Sequence, residues 1–227
     1  MFPKEENLNK NNNKEVKQQK KYYDITVNIS ENLATFPGDP CYQTEQISSL
    51  EEGSNFHLSK LFLGNHTGTH IDFPAHVIKE GKTSSDFPID SLIGSGLIIE
   101  VPEQEISVTK CFIKNLPILK NDFVFFKTAN SKISKNSPFT DKYVYIEPDA
   151  AEELFMKGVK IVGIDYMSVD KYESEDLPVH KYLLSNDVLI VEGLELNNVP
   201  VGRCKMYIMP MKINEMDGLP ARVIVEI

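Results

Sequence analysis

Three of the chain's five histidines fall within eleven residues, His66-Thr67-Gly68-Thr69-His70-Ile71-Asp72-Phe73-Pro74-Ala75-His76. Imidazole and carboxylate together are the usual ligand set for zinc, manganese or iron. A helix cannot bring these groups to one ion, because Asp72 would sit about 200° round from His70. Gly68 and Pro74 also argue against a helix. In an extended chain side chains alternate, which puts His70 and Asp72 on one face about 7 Å apart. His66 would then lie about 13 Å from His70, so a turn through Gly68 must bring it back. The spacing predicts a tight loop feeding a short strand, with His66, His70 and Asp72 converging on one metal. His76 is either a further ligand or a histidine held beside the ion to carry protons. A centre of this kind lowers the pKa of water from about 15.7 to about 7, which is hydrolytic chemistry at neutral pH.

The elements that must position these groups follow from patterning. Residues 23–29 and 56–63 alternate as strands, the second leading into the histidine loop. Residues 77–95 read as a short helix and a loop. Residues 96–101 and 122–128 are apolar strands, with a short helix over 107–115 between them, and 129–142 form a polar loop. A strand at 143–146, a helix at 148–157 and a buried strand at 159–165 read as a β-α-β step. Pro148 and Asp149 mark the start of that helix and Gly158 its stop. Ser168 and Asp170 follow. A short helix at 178–184 carries His180, and a strand at 187–192 ends in Glu192. Strands at 205–212 and 221–227, joined by an Asp217-Gly218 turn, close the chain. The pattern alone is mixed α and β, rich in strands.

A first-loop metal still needs further ligands or a second ion. Of the remaining imidazoles, His57 lies beside Phe56 and Leu58 in a strand and reads as structural. Folding could instead bring His180 and Glu192 against the loop, with Glu192 or Asp72 bridging two ions; the residue pattern leaves this open. Phe36-Pro37-Gly38-Asp39-Pro40 is a rigid turn, and Phe36 is either a pocket wall or a core residue.

Composition excludes several classes. With 41% apolar and 25% charged residues in 227, the chain can bury a sizeable core, and no internal linker divides it. Residues 1–21 form a lysine- and asparagine-rich tail of low complexity, and 22–227 a single domain. The tail is net basic, so the rest is more acidic than the overall −9 and is ill suited to nucleic acid. No stretch offers the roughly 20 apolar residues of a membrane span, and the N-terminus has no signal-peptide run. Cys41, Cys111 and Cys204 are odd in number and widely spaced, which fits reduced thiols in a cytoplasm.

The segment His66-x-Gly68-Thr69-His70-x-Asp72-x-Pro74-x-His76 resembles the signature of the cyclase family of metal-dependent hydrolases, whose best-known members are bacterial kynurenine formamidases. The resemblance runs from about Tyr22 to Ile227. Phe36-Pro37-Gly38-Asp39, Gly163-Ile164-Asp165 with Ser168, Pro178-x-His180, Glu192-Gly193-Leu194 and Asp217-Gly218-x-Pro220-Ala221-Arg222 stand in the family's order. It implies a swivelling β/β/α domain, usually in homodimers or homotetramers. It also implies two divalent ions, zinc first and manganese second. His66, His70 and Asp72 would hold one; Asp72, His180 and Glu192 would hold the other, with Glu192 also reaching the first. His76 would be the general acid/base. Phe36 stands where kynurenine formamidases carry a substrate-stacking tryptophan, and this chain has no tryptophan.

The expected activity is hydrolysis of a small-molecule amide, N-formylkynurenine to kynurenine and formate, with cyclic amides or imides of the isatin type as the second choice. A metal-binding protein without catalysis is the non-enzyme alternative. Retention of His76, which an ion would not need, speaks against it. Thr69, Asp39 and Asp165 are candidates for orienting the ligands, though each residue type also stabilises turns and loops.

Overall fold

The computed structural model describes residues 20–174 and 176–227. Apart from Lys20 and Lys21, the tail read at 1–21 lies outside the described residues. In chain order the strands and helices are β1 (Tyr22–Asp24), β2 (Gln43–Ser48), β3 (Leu58–Phe62), β4 (His70–Asp72), β5 (Ile93–Glu100), β6 (Ser107–Val108), α1 (Lys110–Lys114), β7 (Phe123–Lys127), β8 (Tyr145–Ile146), α2 (Pro148–Met156), β9 (Ile161–Ile164), α3 (Pro178–Ser185), β10 (Leu189–Glu192), β11 (Gly202–Pro210) and β12 (Gly218–Glu226). The architecture is mixed α/β and strand-rich.

The main sheet runs β1-β12-β11-β5-β7-β9-β10-β4, and β4 pairs with β12 as well. That second pairing closes the sheet into a barrel. β5, β7, β9 and β10 are parallel neighbours. Parallel strands need crossovers, and the helices supply them. Such strands are buried on both faces, hence their near-continuous apolar runs. Phe123, Phe125, Ile161, Leu189 and Val191 join one core with Ile71, Met206 and Val223. Val124, Phe126, Val162, Ile164 and Ile190 join a second core with Ile113, Leu154 and Leu183 of the three helices.

Several expectations needed correction. Residues 77–95 hold no α-helix: two 3-10 turns (Ser84–Asp86 and Ile89–Leu92) fill the span, and β5 already begins at Ile93. Gly94 and Gly96 made that start read as loop. They are small because the Phe123 ring and backbone press on them. The β-α-β step is also different: β8 pairs in parallel with β6 in a separate two-stranded sheet, and α2 links β7 to β9. The strand expected at 23–29 stops at Asp24, after which Thr26 makes a single bridge to Leu194. The polar loop 129–142 opens with a 3-10 turn that buries Asn130 and Ser131. β2 went unread because its residues are polar and mostly exposed. Gly218 belongs to β12, which starts early because it pairs with β4.

The three cysteines are free thiols. Among the described residues no helix is long and apolar enough to cross a membrane.

Candidate metal centre and active site

Ile71 points into the barrel core, so alternation along β4 sends His70 and Asp72 to the opposite face. β10 pairs antiparallel with β4 and sets Glu192 directly across from His70, on that same face. His66 is brought back by a turn in which Gly68 takes φ +69°, as the spacing requires. The turn is clamped from behind: Thr69 Oγ1 donates to Gly193 O at 2.6 Å and accepts from Val27 N at 2.9 Å. Gly193 sits at φ +68°, and a Cβ there would stand 2.3 Å from Gly68 O. A Gly193→Ala chain therefore combines a strained backbone with a steric clash, and is expected to lose about 2–4 kcal/mol of stability. Urea titration of both proteins measures it; a loss under 0.5 kcal/mol would contradict the packing.

His180 arrives from α3. The first N–H groups of a helix lack internal partners, and here the Asp170 carboxylate accepts from Val179 N (2.9 Å) and His180 N (3.0 Å). The same carboxylate lies 2.6 Å from His180 Nδ1. That leaves Nε2 facing Glu192 Oε1 at 3.2 Å and Asp72 Oδ2 at 3.6 Å. A carboxylate behind a histidine in this manner fixes its tautomer and orientation for a metal. Sequence reasoning noted Asp170 but gave it no role; its position ahead of a Pro-initiated helix was the available signal.

The remaining contacts gather around Asp72. His66 Nδ1 is 2.8 Å from Asp72 Oδ1, and His70 Nε2 is 3.4 Å from that oxygen and 3.4 Å from Glu192 Oε2. His70 Nδ1 is fixed by Gly68 O at 3.0 Å, which frees Nε2 for a ligand. Glu192 Oε1 accepts from Val169 N at 2.7 Å. Asp72 is fully buried, yet neither of its oxygens accepts an aligned hydrogen bond. Orphaned buried carboxylate oxygens are costly. Close approach without N–H···O alignment is the expected arrangement for donors aimed at a shared cation. His66, His70 and Asp72 form one group, and Asp72, His180 and Glu192 another, with donor atoms in each within 4.8 Å of one another. The residues fit a divalent metal.

Charge says the same. Burial alone pulls the His66 pKa down, but Asp72 and Asp217 outweigh it and raise it to about 9. At His70, burial is outweighed by Asp72 and Glu192; at His180, by Glu192, Asp170 and Asp72. Burial likewise disfavours the Asp72 anion, but His70, His180 and His66 hold its pKa well below the usual carboxylate range. The surrounding carboxylates thus favour positive charge at this spot, on imidazole or on a bound cation.

His76 lies outside both Asp72-centred groups. Its Nδ1 is 3.4 Å from Asp217 Oδ2 and its ring 4.2 Å from that of His66, so His66, His76 and Asp217 make a third, less buried cluster. Together with His66, His70, His180 and Glu192 it faces a cavity of about 230 Å³ whose apolar wall includes Val27, Leu33, Phe36 and Leu177. Phe36 is half-buried there. It is held edge-on by Phe139 (centroids 5.3 Å apart) and Tyr172 (6.2 Å), an aromatic backing that no local pattern announced.

Other candidates serve elsewhere. Asp39 is exposed on its turn at the cavity rim. Asp165 accepts from Thr128 N, Thr128 Oγ1 and Ser131 Oγ, so it holds the loop after β7 rather than a ligand. Thr69 supports the turn through backbone groups. His57 sits exposed in the β2–β3 connection, immediately before β3 and near Gln46 and Glu51, and is not among the residues lining the cavity.

Residues 23–171 match the family model described as Putative cyclase. A kynurenine formamidase from Salinibacter ruber (strain DSM 13855 / M31) is 38% identical over 202 residues, covering 88% of this chain and 95% of that protein. A solved structure described as a potential metal-dependent hydrolase with cyclase activity aligns with a TM-score of 0.80 at 34% identity, over 92% of this chain and 98% of that one. Isatin hydrolase A from Labrenzia aggregata shares the fold, with a TM-score of 0.78 at 19% identity over 92% and 94% of the two chains. The chain belongs to the Putative cyclase family of hydrolases.

Proposed function

We propose that this protein is a metal-dependent amide hydrolase of the arylformamidase kind, converting N-formylkynurenine or a close aryl formamide, with water, to the free amine and formate. The observation that carries the reading is His76 standing in one cavity with a buried, Asp72-centred donor set. His66, His70 and Asp72 would hold one divalent ion, and Asp72, His180 and Glu192 a second, zinc first and manganese second. Ions bound there supply Lewis acidity, polarising an amide carbonyl and lowering the pKa of water.

The chain's own groups do the rest. Burial, helped by the charges of His66 and His180, pulls the His76 pKa below 6.5, with Asp72 and Glu192 opposing. A neutral imidazole is therefore on hand at neutral pH. With Nδ1 against Asp217, Nε2 is the atom that takes a proton from water and returns it to the departing nitrogen. The cavity lies just below the roughly 300–1,000 Å³ common for ligand pockets, which suits a compact substrate. The Phe36 wall would receive the aryl ring. The working form would be a cytoplasmic homodimer or homotetramer.

Turnover of N-formylkynurenine by protein stripped with a chelator, then reloaded with Zn²⁺ or Mn²⁺, tests the reading. Activity should appear only on reloading. Hydrolysis of a cyclic amide instead would favour the isatin-type reading, which phenylalanine in place of tryptophan at position 36 keeps in play. Metal uptake with no turnover of either would favour metal binding without catalysis. A Phe36→Ala chain is expected to raise KM for an aryl formamide roughly 2–10-fold, the worth of about 0.5–1.5 kcal/mol of aromatic packing. KM for an N-formyl alkylamine should hardly move; an equal rise for both would remove Phe36 from ring recognition.

A further inference from the structure

Asp217 and Gly218 are far from the histidine segment in sequence but land on it in the fold. Phe73 N donates to the Asp217 backbone oxygen at 2.8 Å, and β12 starts with Gly218 opposite Asp72. Gly218 lies so close to His66 that a Cβ there would stand 2.3 Å from ring Cε1. The Asp217 side chain then reaches three partners. Oδ1 accepts from Asn65 Nδ2 at 2.8 Å, while Oδ2 lies 3.1 Å from His66 Nε2 and 3.4 Å from His76 Nδ1.

One carboxylate oxygen facing two imidazoles settles which nitrogen of each carries hydrogen. When a cation takes the place of the second proton on His66, each ring is neutral, donates N–H to Oδ2 and keeps its lone pair on the other nitrogen. For His66 that lone pair is on Nδ1, 2.8 Å from Asp72 Oδ1 within the first donor group. For His76 it is on Nε2. We propose that Asp217 is a positioning residue serving two histidines at once, setting the ligand nitrogen of His66 and the proton-carrying nitrogen of His76. The His76 half rests on the hydrolase reading above; the His66 half stands without it.

The test uses the full chain with Asp217→Ala and the near-isosteric Asp217→Asn, each in the wild-type and His76→Ala backgrounds. Two quantities are read: Zn²⁺ retained against a competing chelator, and kcat and KM for N-formylkynurenine at saturating Zn²⁺. For Asp217→Ala, Zn²⁺ retention should weaken about 10–100-fold, as on loss of an orienting partner. Its kcat should fall about 10²-fold with KM unchanged. In the His76→Ala background the further kcat loss should shrink to within about 2-fold, because the two residues act through one group. Asparagine offers a single acceptor oxygen where Asn65 and the two rings need two, so Asp217→Asn should lose both functions in part. Equal kcat losses in the two backgrounds, unchanged Zn²⁺ retention, or a wild-type-like Asp217→Asn would each overturn the proposal. Absence of formamide turnover in the wild type would sink the hydrolase reading alone, with Zn²⁺ retention still deciding the His66 half.

Discussion

An Asp72→Asn chain is expected to purify without bound divalent metal and without measurable amide turnover. Asp72 is the member common to both buried donor groups, so a single substitution strikes both. An amide has one acceptor oxygen and no charge, while His66, His70 and His180 all crowd the native carboxylate at 2.8–3.6 Å. Affinity should fall by more than the 10–100-fold or so that loss of an outer partner costs, because here a ligand itself is lost. Elemental analysis of wild-type, Asp72→Asn and His57→Ala proteins after one purification checks this. His57 lies on the exposed hairpin, so its substitution should leave metal content and turnover alone. Stoichiometric metal and normal activity in Asp72→Asn would refute the proposed centre.

A His76→Ala chain should instead keep its metal and lose about 10²–10⁴-fold in kcat on an aryl formamide, the usual worth of a positioned acid/base. The leaving group provides the sharper readout. An amine must receive a proton to depart, whereas the phenolate of an aryl formate ester need not. The loss on the ester should therefore be smaller than on the amide, keeping only the part owed to taking the proton from water. Equal losses on both substrates would remove His76 from protonating the leaving group and confine it to binding or to taking the proton from water. Loss of metal would make His76 a ligand of the third cluster with His66 and Asp217. Full activity would remove it from the chemistry.

How much of this was legible beforehand depends on how local the controlling geometry is. The period-two spacing of His70 and Asp72 and the need for a turn at Gly68 are properties of a few consecutive residues, and the fold bears them out. The placement of Glu192 opposite His70 is not local. It depends on β10 choosing β4 as its antiparallel neighbour, a pairing residue patterning left open; the family resemblance implied only that Glu192 joins the ligands. Asp170 and Asp217 were harder still, since each acts through a side chain whose partner is set by how α3 and β12 dock. The misread β-α-β step has the same origin: a two-residue strand such as β8 carries no information about which sheet it joins. The exposed strand β2 failed for the opposite reason, because its mostly polar residues leave no burial rhythm to read, whereas its partner β3 lies within the strand read at 56–63.

β4 is only three residues long, yet it is bonded on both flanks, to β10 on one side and β12 on the other. It is a stave held in a hoop: the strand bearing His70 and Asp72 is tied along both edges by its own chain. Filling and emptying of the proposed centre would accordingly be exchange on a standing scaffold, unlike small zinc modules that collapse when stripped. The choice among first-row ions then falls to donor chemistry and cellular supply rather than to any requirement of folding.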